Sequence, residues 1–139
     1  VTACIFCSIV AGTAPAHLVF SDPVCVGFLD VRPLFPGHTL VVPRAHRPTL
    51  RDLPPGEYEP LLGGARRVAL ALERALGAEG SFLALNDRVS QSVPHVHVHV
   101  VPRRKGDGLR GFFWPRHKYS SEEEAAAIAA KIREVLSVS

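Results

Sequence analysis

One stretch constrains this chain more than any other: the strict alternation His95-Val96-His97-Val98-His99-Val100. On a β-strand, side chains at i, i+2 and i+4 share one face. Three imidazoles therefore stand in a row, with Val96, Val98 and Val100 packing into a core behind them. Neighbouring histidines lie about 6.6 Å apart along such a strand, and His95 to His99 spans about 13 Å. Zn–N bonds are only about 2 Å long, so the three cannot ligate one metal ion. At least two jobs must be shared along the face. One end can join a metal site, while the other two carry nucleophilic and proton chemistry, because neutral imidazole is a competent nucleophile near neutral pH. Attack on phosphorus suits it well: a phosphoramidate forms and water can then cleave it. A neighbouring histidine can orient the ring and stabilise charge. The rival reading is a polar strand face turned to solvent. An expression tag does not fit mid-chain between two valine-rich strand halves.

The rest of the chain supplies a fold for that strand. With 139 residues, 47% hydrophobic and 21% charged, it has the balance of an ordinary globular domain. That balance excludes a disordered or collagen-like chain, and one domain over residues 1–139 is expected, with a core at about 4–110. Apolar runs such as residues 39–42 fall far short of the roughly 20 needed to span a membrane. Residues 1–10 lack the basic start of a signal peptide, so a cytoplasmic protein without a membrane partner is expected. A net charge of +3 favours an anionic partner without naming one. The pattern predicts a short helix over 4–11. A hairpin follows, from strands 18–20 and 24–29 around Ser21-Asp22-Pro23. Strand 38–42 is stopped by Pro43, and a proline-broken loop covers 44–56. The main helix is expected over 56–76, where Tyr58, Leu61, Leu62, Ala65, Val68, Ala69, Leu72 and Leu76 follow the 3.6-residue period. Gly63 and Gly64 mark either a close backbone contact or merely a weaker helix. Strands 81–86 and 95–101 come next, then a basic loop over 103–118. A last helix starts at the capping pattern Ser120-Ser121-Glu122-Glu123-Glu124 and has its apolar stripe at Ile128, Ile132, Val135 and Leu136. Strands joined by short turns, with two substantial helices, argue an α+β fold with a five-stranded antiparallel sheet.

Cys4-x-x-Cys7 has metal-ligand spacing. The rival, a redox pair, normally follows a strand in a βαβ unit, which is absent here. Two histidines would complete a tetrahedral Cys₂His₂ site. Outside the strand the candidates are His46, His17 and His117; within it, His95 is the member that can be spared. The set expected for structural zinc is Cys4, Cys7, His46 and His95. Cys25, among strand valines, is expected to be a small buried residue.

The segment Gln91-Ser92-Val93-Pro94-His95-Val96-His97-Val98-His99-Val100-Val101-Pro102-Arg103 resembles the signature of the histidine triad (HIT) superfamily. Cys4-Ile5-Phe6-Cys7-Ser8-Ile9-Val10 with Ala14-Pro15-Ala16 resembles its N-terminal segment. Phe28-Leu29-Asp30-Val31-Arg32-Pro33 and Gly37-His38-Thr39-Leu40-Val41-Val42-Pro43-Arg44-Ala45-His46 resemble its central strands. The similarity covers residues 4–110 and points to small bacterial-type, CxxC-bearing members. It implies that His97 attacks the α-phosphorus of a nucleotide and forms a covalent nucleotidyl-histidine. His99 would hold the α-phosphate, His38 would orient the catalytic histidine, and Ser92 would touch the leaving group. Asn86 and Gln91 would line the phosphate end. Asp30 would accept from the ribose hydroxyls, and Ile5, Phe6, Ile9, Phe28 and Val31 would form the slot for the base. Zinc would sit on Cys4, Cys7, His46 and His95, and the chain would form a homodimer across the main helix and the following strand.

The implied activity is hydrolysis of AMP conjugates at the α-phosphorus, of the nucleoside phosphoramidase type. One alternative is a dinucleoside polyphosphate hydrolase. Another is a non-catalytic nucleotide-binding sensor or interaction protein. Binding of nucleic acid rests only on the basic loop and the pI of about 9.0 and is not expected. Two departures from the family pattern stand out. Residues 86–91 lack the glycines that many members carry there, and Pro94 replaces an aromatic residue before the triad. The aromatic cluster Phe112, Phe113 and Trp114 is expected to pack under the last helix.

Overall fold

The computed structural model describes residues 4–110 and 116–137. It contains two compact units, Val1–Asp107 and Gly108–Ser139. The first holds α1 (Ile5–Val10), β1 (Leu18–Ser21), β2 (Cys25–Leu29), β3 (Thr39–Pro43), α2 (Tyr58–Leu76), β4 (Gly80–Ala84) and β5 (Val98–Arg103). Its strands form one sheet in the order β1-β2-β3-β5-β4, with every neighbouring pair antiparallel. This is the α+β architecture expected from the strand and helix pattern.

Turn chemistry fixes the expected hairpin. Asp22 Oδ1 accepts the N–H groups of Val24 (2.8 Å) and Cys25 (2.7 Å), folding the chain back into β2. α2 begins at Tyr58 after a 3-10 turn at Pro55–Glu57, two residues later than the periodicity suggests. It ends at Gly77, whose left-handed backbone (φ 70) caps the helix. Leu61, Ala65, Val68 and Leu72 form its buried stripe, against Cys25, Val41, Val96, Val98 and Val100. Gly64 is the close contact that its position hinted at. A methyl group there would meet Phe20 Cζ at 2.9 Å and Val41 Cγ1 at 3.2 Å. The other face of the sheet carries a second cluster of Phe6, Val26, Phe28, Leu40 and Val42. Alternate strand residues thus feed two cores, one under α2 and one around α1.

The last strand departs from expectation at its start. It begins at Val98, three residues after His95. The ladder between β3 and β5 runs only from Thr39↔Val100 to Val41↔Val98. Beyond it, Val96 N–H donates to the Arg47 carbonyl (2.7 Å) and His95 N–H to that of Val93 (2.8 Å). Pro43, at the end of β3, has no N–H with which to extend the ladder. The side-chain alternation survives this change of backbone partner, because Val96 is fully buried in the α2 core alongside Val98 and Val100.

The second unit contains α3 (Glu122–Ser137). Ser121 Oγ accepts Glu124 N–H at 3.0 Å, and Ser120 hydrogen-bonds the Glu124 carboxylate through its hydroxyl. The expected cap is therefore shared between the two serines. Phe112, Phe113 and Trp114, with their expected packing, lie outside the described residues.

Candidate active site and metal cluster

Cys4, Cys7, His46 and His95 converge. Cys4 Sγ and Cys7 Sγ each lie 3.5 Å from His95 Nδ1. His46 Nδ1 is 3.3 Å from Cys7 Sγ and 3.3 Å from His95 Nδ1. Around a tetrahedral zinc with Zn–N of about 2.05 Å and Zn–S of about 2.3 Å, N···N edges measure about 3.3 Å and N···S edges about 3.5 Å. These four distances stand at or just inside those edge lengths, and all four donors lie within 4.8 Å of one another, so the set fits zinc. The His95 ring is oriented for the role, since its other nitrogen, Nε2, donates to the Pro43 carbonyl at 2.8 Å. A carbonyl only accepts, so the proton is on Nε2 and Nδ1 keeps its lone pair.

The same reasoning fixes the other rings. His97 Nδ1 lies 2.8 Å from the His95 carbonyl and must donate to it. In the neutral ring its Nε2 therefore carries a lone pair. His38 Nδ1 accepts Leu34 N–H at 3.0 Å, so in the neutral ring the proton is on Nε2. That proton is donated to His99 Nδ1 at 2.9 Å, which leaves His99 with an Nε2–H. A basic nitrogen on His97 thus stands beside an N–H donor on His99, with ring centroids 5.0 Å apart. Burial pushes His99 down to about 4, with the neighbouring His97 and His38 adding to the shift and Asp30 opposing it. Burial also lowers His38, against a smaller opposing pull from Asp30. Both rings are neutral at pH 7, as this proton arrangement requires.

His97 and His99 open onto a cavity of about 430 Å³. Small-molecule sites commonly measure about 300–1,000 Å³. Ile5, Phe6, Ile9, Phe28 and Val31 line it, as do Asp30 and Ser92, so the expected base slot, ribose acceptor and leaving-group serine share one space. Phe6 meets Phe28 (centroids 5.3 Å apart) and His97 (5.0 Å) edge-on. Asp30 is held in place by its own turn, Oδ1 accepting Arg32 N–H at 2.9 Å. Its Oδ2 lies 3.6 Å from His38 Nε2. His38 does not line the cavity but touches it through His99. Asn86 and Gln91 are also absent from the lining. Gln91 spends its amide on loop backbone, accepting Arg88 N–H and donating to the Pro48 carbonyl. Leu29, Arg32, Leu40, Val93, Pro15 and Ala16 complete the lining beyond the residues expected there. Arg32 carried a signal, since it stands two residues after Asp30 in the same turn. The others arrive through tertiary folding.

Residues 11–106 match the HIT domain family. The chain belongs to the HIT family. An uncharacterized HIT-like protein of Mycobacterium tuberculosis is 41% identical over 108 residues, covering 76% of this chain and 75% of that protein. The adenosine 5'-monophosphoramidase hnt1 of Schizosaccharomyces pombe is 33% identical over 135 residues, covering 94% and 98%. Among solved structures, a Zn-bound histidine triad family protein from Mycobacterium smegmatis matches with a TM-score of 0.75 and 38% identity, over 99% of this chain and 98% of that one. Cys4 and Cys7 lie N-terminal to the matched HIT stretch, so half of the metal cluster comes from outside it.

The HIT loop over residues 86–94 shows what its missing glycines leave behind. Arg88 (φ 74) and Ser90 (φ 60) occupy the left-handed region that glycine enters freely. Hydrogen bonds hold the path: Asp87 accepts Leu50 N–H at 2.7 Å, and Gln91 clamps both Arg88 and Pro48.

Proposed function

We propose that this HIT protein hydrolyses AMP conjugates at the α-phosphorus, in two steps, through a covalent nucleotidyl-His97. The observation that carries this reading is the hydrogen bond from His97 Nδ1 to the His95 carbonyl, which leaves Nε2 as a lone pair at the cavity. In the first step His97 Nε2 bonds to phosphorus as the bond to the leaving group breaks, and the leaving group takes that electron pair and then a proton. In the second, water attacks phosphorus and gives up a proton to solvent, which balances the one taken by the leaving group; the N–P bond breaks, and AMP is released with the pair returned to Nε2. His99 Nε2–H donates to a phosphoryl oxygen throughout. His38 keeps that proton on Nε2 by filling His99 Nδ1. Asp30, acceptor-only when ionised, binds the ribose hydroxyls, and Ser92 meets the leaving group. The apolar wall from Ile5 to Val31 takes the base, and Asn86 and Gln91 act from the neighbouring loop. Zinc on Cys4, Cys7, His46 and His95 supplies structure rather than Lewis-acid chemistry, because four protein ligands leave no open position. The S. pombe phosphoramidase, matched along nearly its whole length, supports this choice of substrate class.

We read the protein as a cytoplasmic homodimer. Exposed Leu62, Leu70 and Leu76 on α2 and Leu83 on the edge strand β4 support that reading. No helix among the described residues is long and apolar enough to cross a membrane.

The test is incubation with adenosine phosphoramidate and with diadenosine polyphosphates. Wild type should release AMP, and acid-labile nucleotidyl-protein should accumulate on rapid quenching. His97→Ala should do neither. Absence of turnover of every nucleotide by wild type would refute the enzyme reading.

A further inference from the structure

Two separate strands of structure join the metal cluster to the reacting groups. The first is the main chain at His95. Its ring holds the metal position through Nδ1 and the Pro43 carbonyl through Nε2. Its own carbonyl receives the His97 Nδ1 proton. The residue that closes the cluster is thus also the residue whose backbone sets the tautomer of His97. The second is α1. This helix has six residues, no side-chain cap and no acidic residue in its first turn. A helix so short is marginal without tertiary support. Cys4 precedes it and Cys7 lies within it, and between them Ile5 and Phe6 face the cavity. Phe6 lies edge-on to both His95 (5.9 Å) and His97 (5.0 Å).

We infer that Cys4, Cys7, His46 and His95 are positioning residues for the reaction: metal held by them fixes the His97 proton on Nδ1 and fixes the Ile5–Phe6 wall of the base slot. The inference rests on the nucleotide reading for the identity of the ligand. Its main claim, the state of the His97 ring, does not depend on turnover. Without metal, the His95 ring keeps only the Pro43 carbonyl among its polar partners, and the His95–Val96 peptide is held by the Val96 N–H bond to the carbonyl of Arg47, one residue from the released ligand His46. Both tautomers of His97 then become populated, and α1 loosens over the slot.

The experiment uses the full chain loaded with zinc, the chain stripped by chelator, and two variants at His46, which is exposed and lines no part of the cavity. His46→Ala removes one ligand, while His46→Cys replaces it with another zinc ligand. Nitrogen-15 NMR of the imidazoles reads the His97 tautomer, and calorimetry reads AMP affinity. With zinc bound, wild type and His46→Cys should show a single Nδ1–H form of His97. The stripped protein and His46→Ala should show averaged ring shifts. AMP binding should weaken at least about fivefold, the lower edge of ordinary coupling between two sites. KM should rise with it, and kcat should fall through loss of the attacking tautomer. A folded, metal-free chain that keeps one His97 tautomer and its AMP affinity would overturn the inference. Should the metal-free chain unfold, cobalt-loaded wild type decides. Saturating AMP must then shift the cobalt absorption bands, and unchanged bands would reject the coupling. If zinc-loaded wild type binds no AMP, the nucleotide reading fails on its own and the tautomer measurement still judges the positioning role.

Discussion

Replacing Gly37 with alanine separates two physical costs that usually arrive together. Gly37 has φ +103, and a Cβ there would meet Leu76 Cδ1 at 2.6 Å, Leu72 Cδ2 at 3.1 Å and Pro102 Cγ at 3.5 Å. The backbone cost of a left-handed conformation is about 1–2 kcal/mol. Half-exposed Leu76 can swing aside, so overpacking against buried Leu72 adds about 1 kcal/mol, the low end for a packed site. The sum, about 2–3 kcal/mol, corresponds to a fall in Tm of roughly 6–12 °C for a chain of this size. Gly77→Ala is the internal control. It has φ +70 with nothing within 4 Å, so only the backbone cost applies, about 1–2 kcal/mol. Gly56→Ala, without positive φ or neighbours, should be close to neutral. Urea unfolding followed by circular dichroism gives all three values. A Gly37→Ala loss equal to that of Gly77→Ala would refute the steric argument, and a loss under about 1 kcal/mol would refute both. Because Gly37 adjoins His38, the variant should also loosen the His38–His99 hydrogen bond, visible as a change in the His99 ring signals.

Three shorter predictions follow from the same geometry. His99 is pushed down to about 4 from 6.5, so between those values the unfolded chain binds more protons than the native one. The resulting stability is fully present above pH 6.5 and is lost as pH falls toward 4. The urea midpoint should drop over that window, and His99→Gln should flatten the slope; an unchanged slope would exclude His99 as its source. Cys25 is fully buried and its thiol is pushed up to about 12 by burial and nearby acids. In chelated native protein a disulfide reagent should titrate two thiols quickly and the third only on unfolding, so three fast thiols would contradict the packing. Arg88→Gly relieves a left-handed backbone while keeping the Arg88 N–H bond to Gln91. It should stabilise the chain by about 0.5–1 kcal/mol in urea titration, and a loss would mean that the arginine side chain carries more than the strain costs.

Local patterns carried much of this site. The alternation at residues 95–100 divided the imidazoles from the valines, and the CxxC spacing with spare histidines pointed to the metal set. Both signals lie in a few neighbouring residues. What escaped depends on residues far apart in the chain. The start of β5 is decided by Pro43 and by the Arg47 carbonyl, about fifty positions away, which takes the N–H of Val96. Gly64 reads equally as a close contact or a weaker helix, and the Phe20 ring that decides between them is indistinguishable in sequence from any strand aromatic. Leu40, Val93 and Ala16 reach the cavity only because α1 and the loop after β4 fold over one face of the sheet. Asn86 and Gln91 have the polarity of phosphate contacts, but Gln91's amide is committed to loop backbone.

The main-chain carbonyls that hold the His95 and His97 protons bear on how such a site could be altered. Hydrolases that orient a histidine with an aspartate can be retuned by exchanging that aspartate. Here no side chain holds the His97 Nδ1 proton, so no single substitution can remove its acceptor. The tautomer of His97 is tied to the path of the backbone between Pro43 and His97. Sequence drift around the pocket can then reshape its walls while the His97 ring keeps its tautomer. A designer wishing to transplant this reactivity would have to copy a curve of main chain rather than a constellation of side chains.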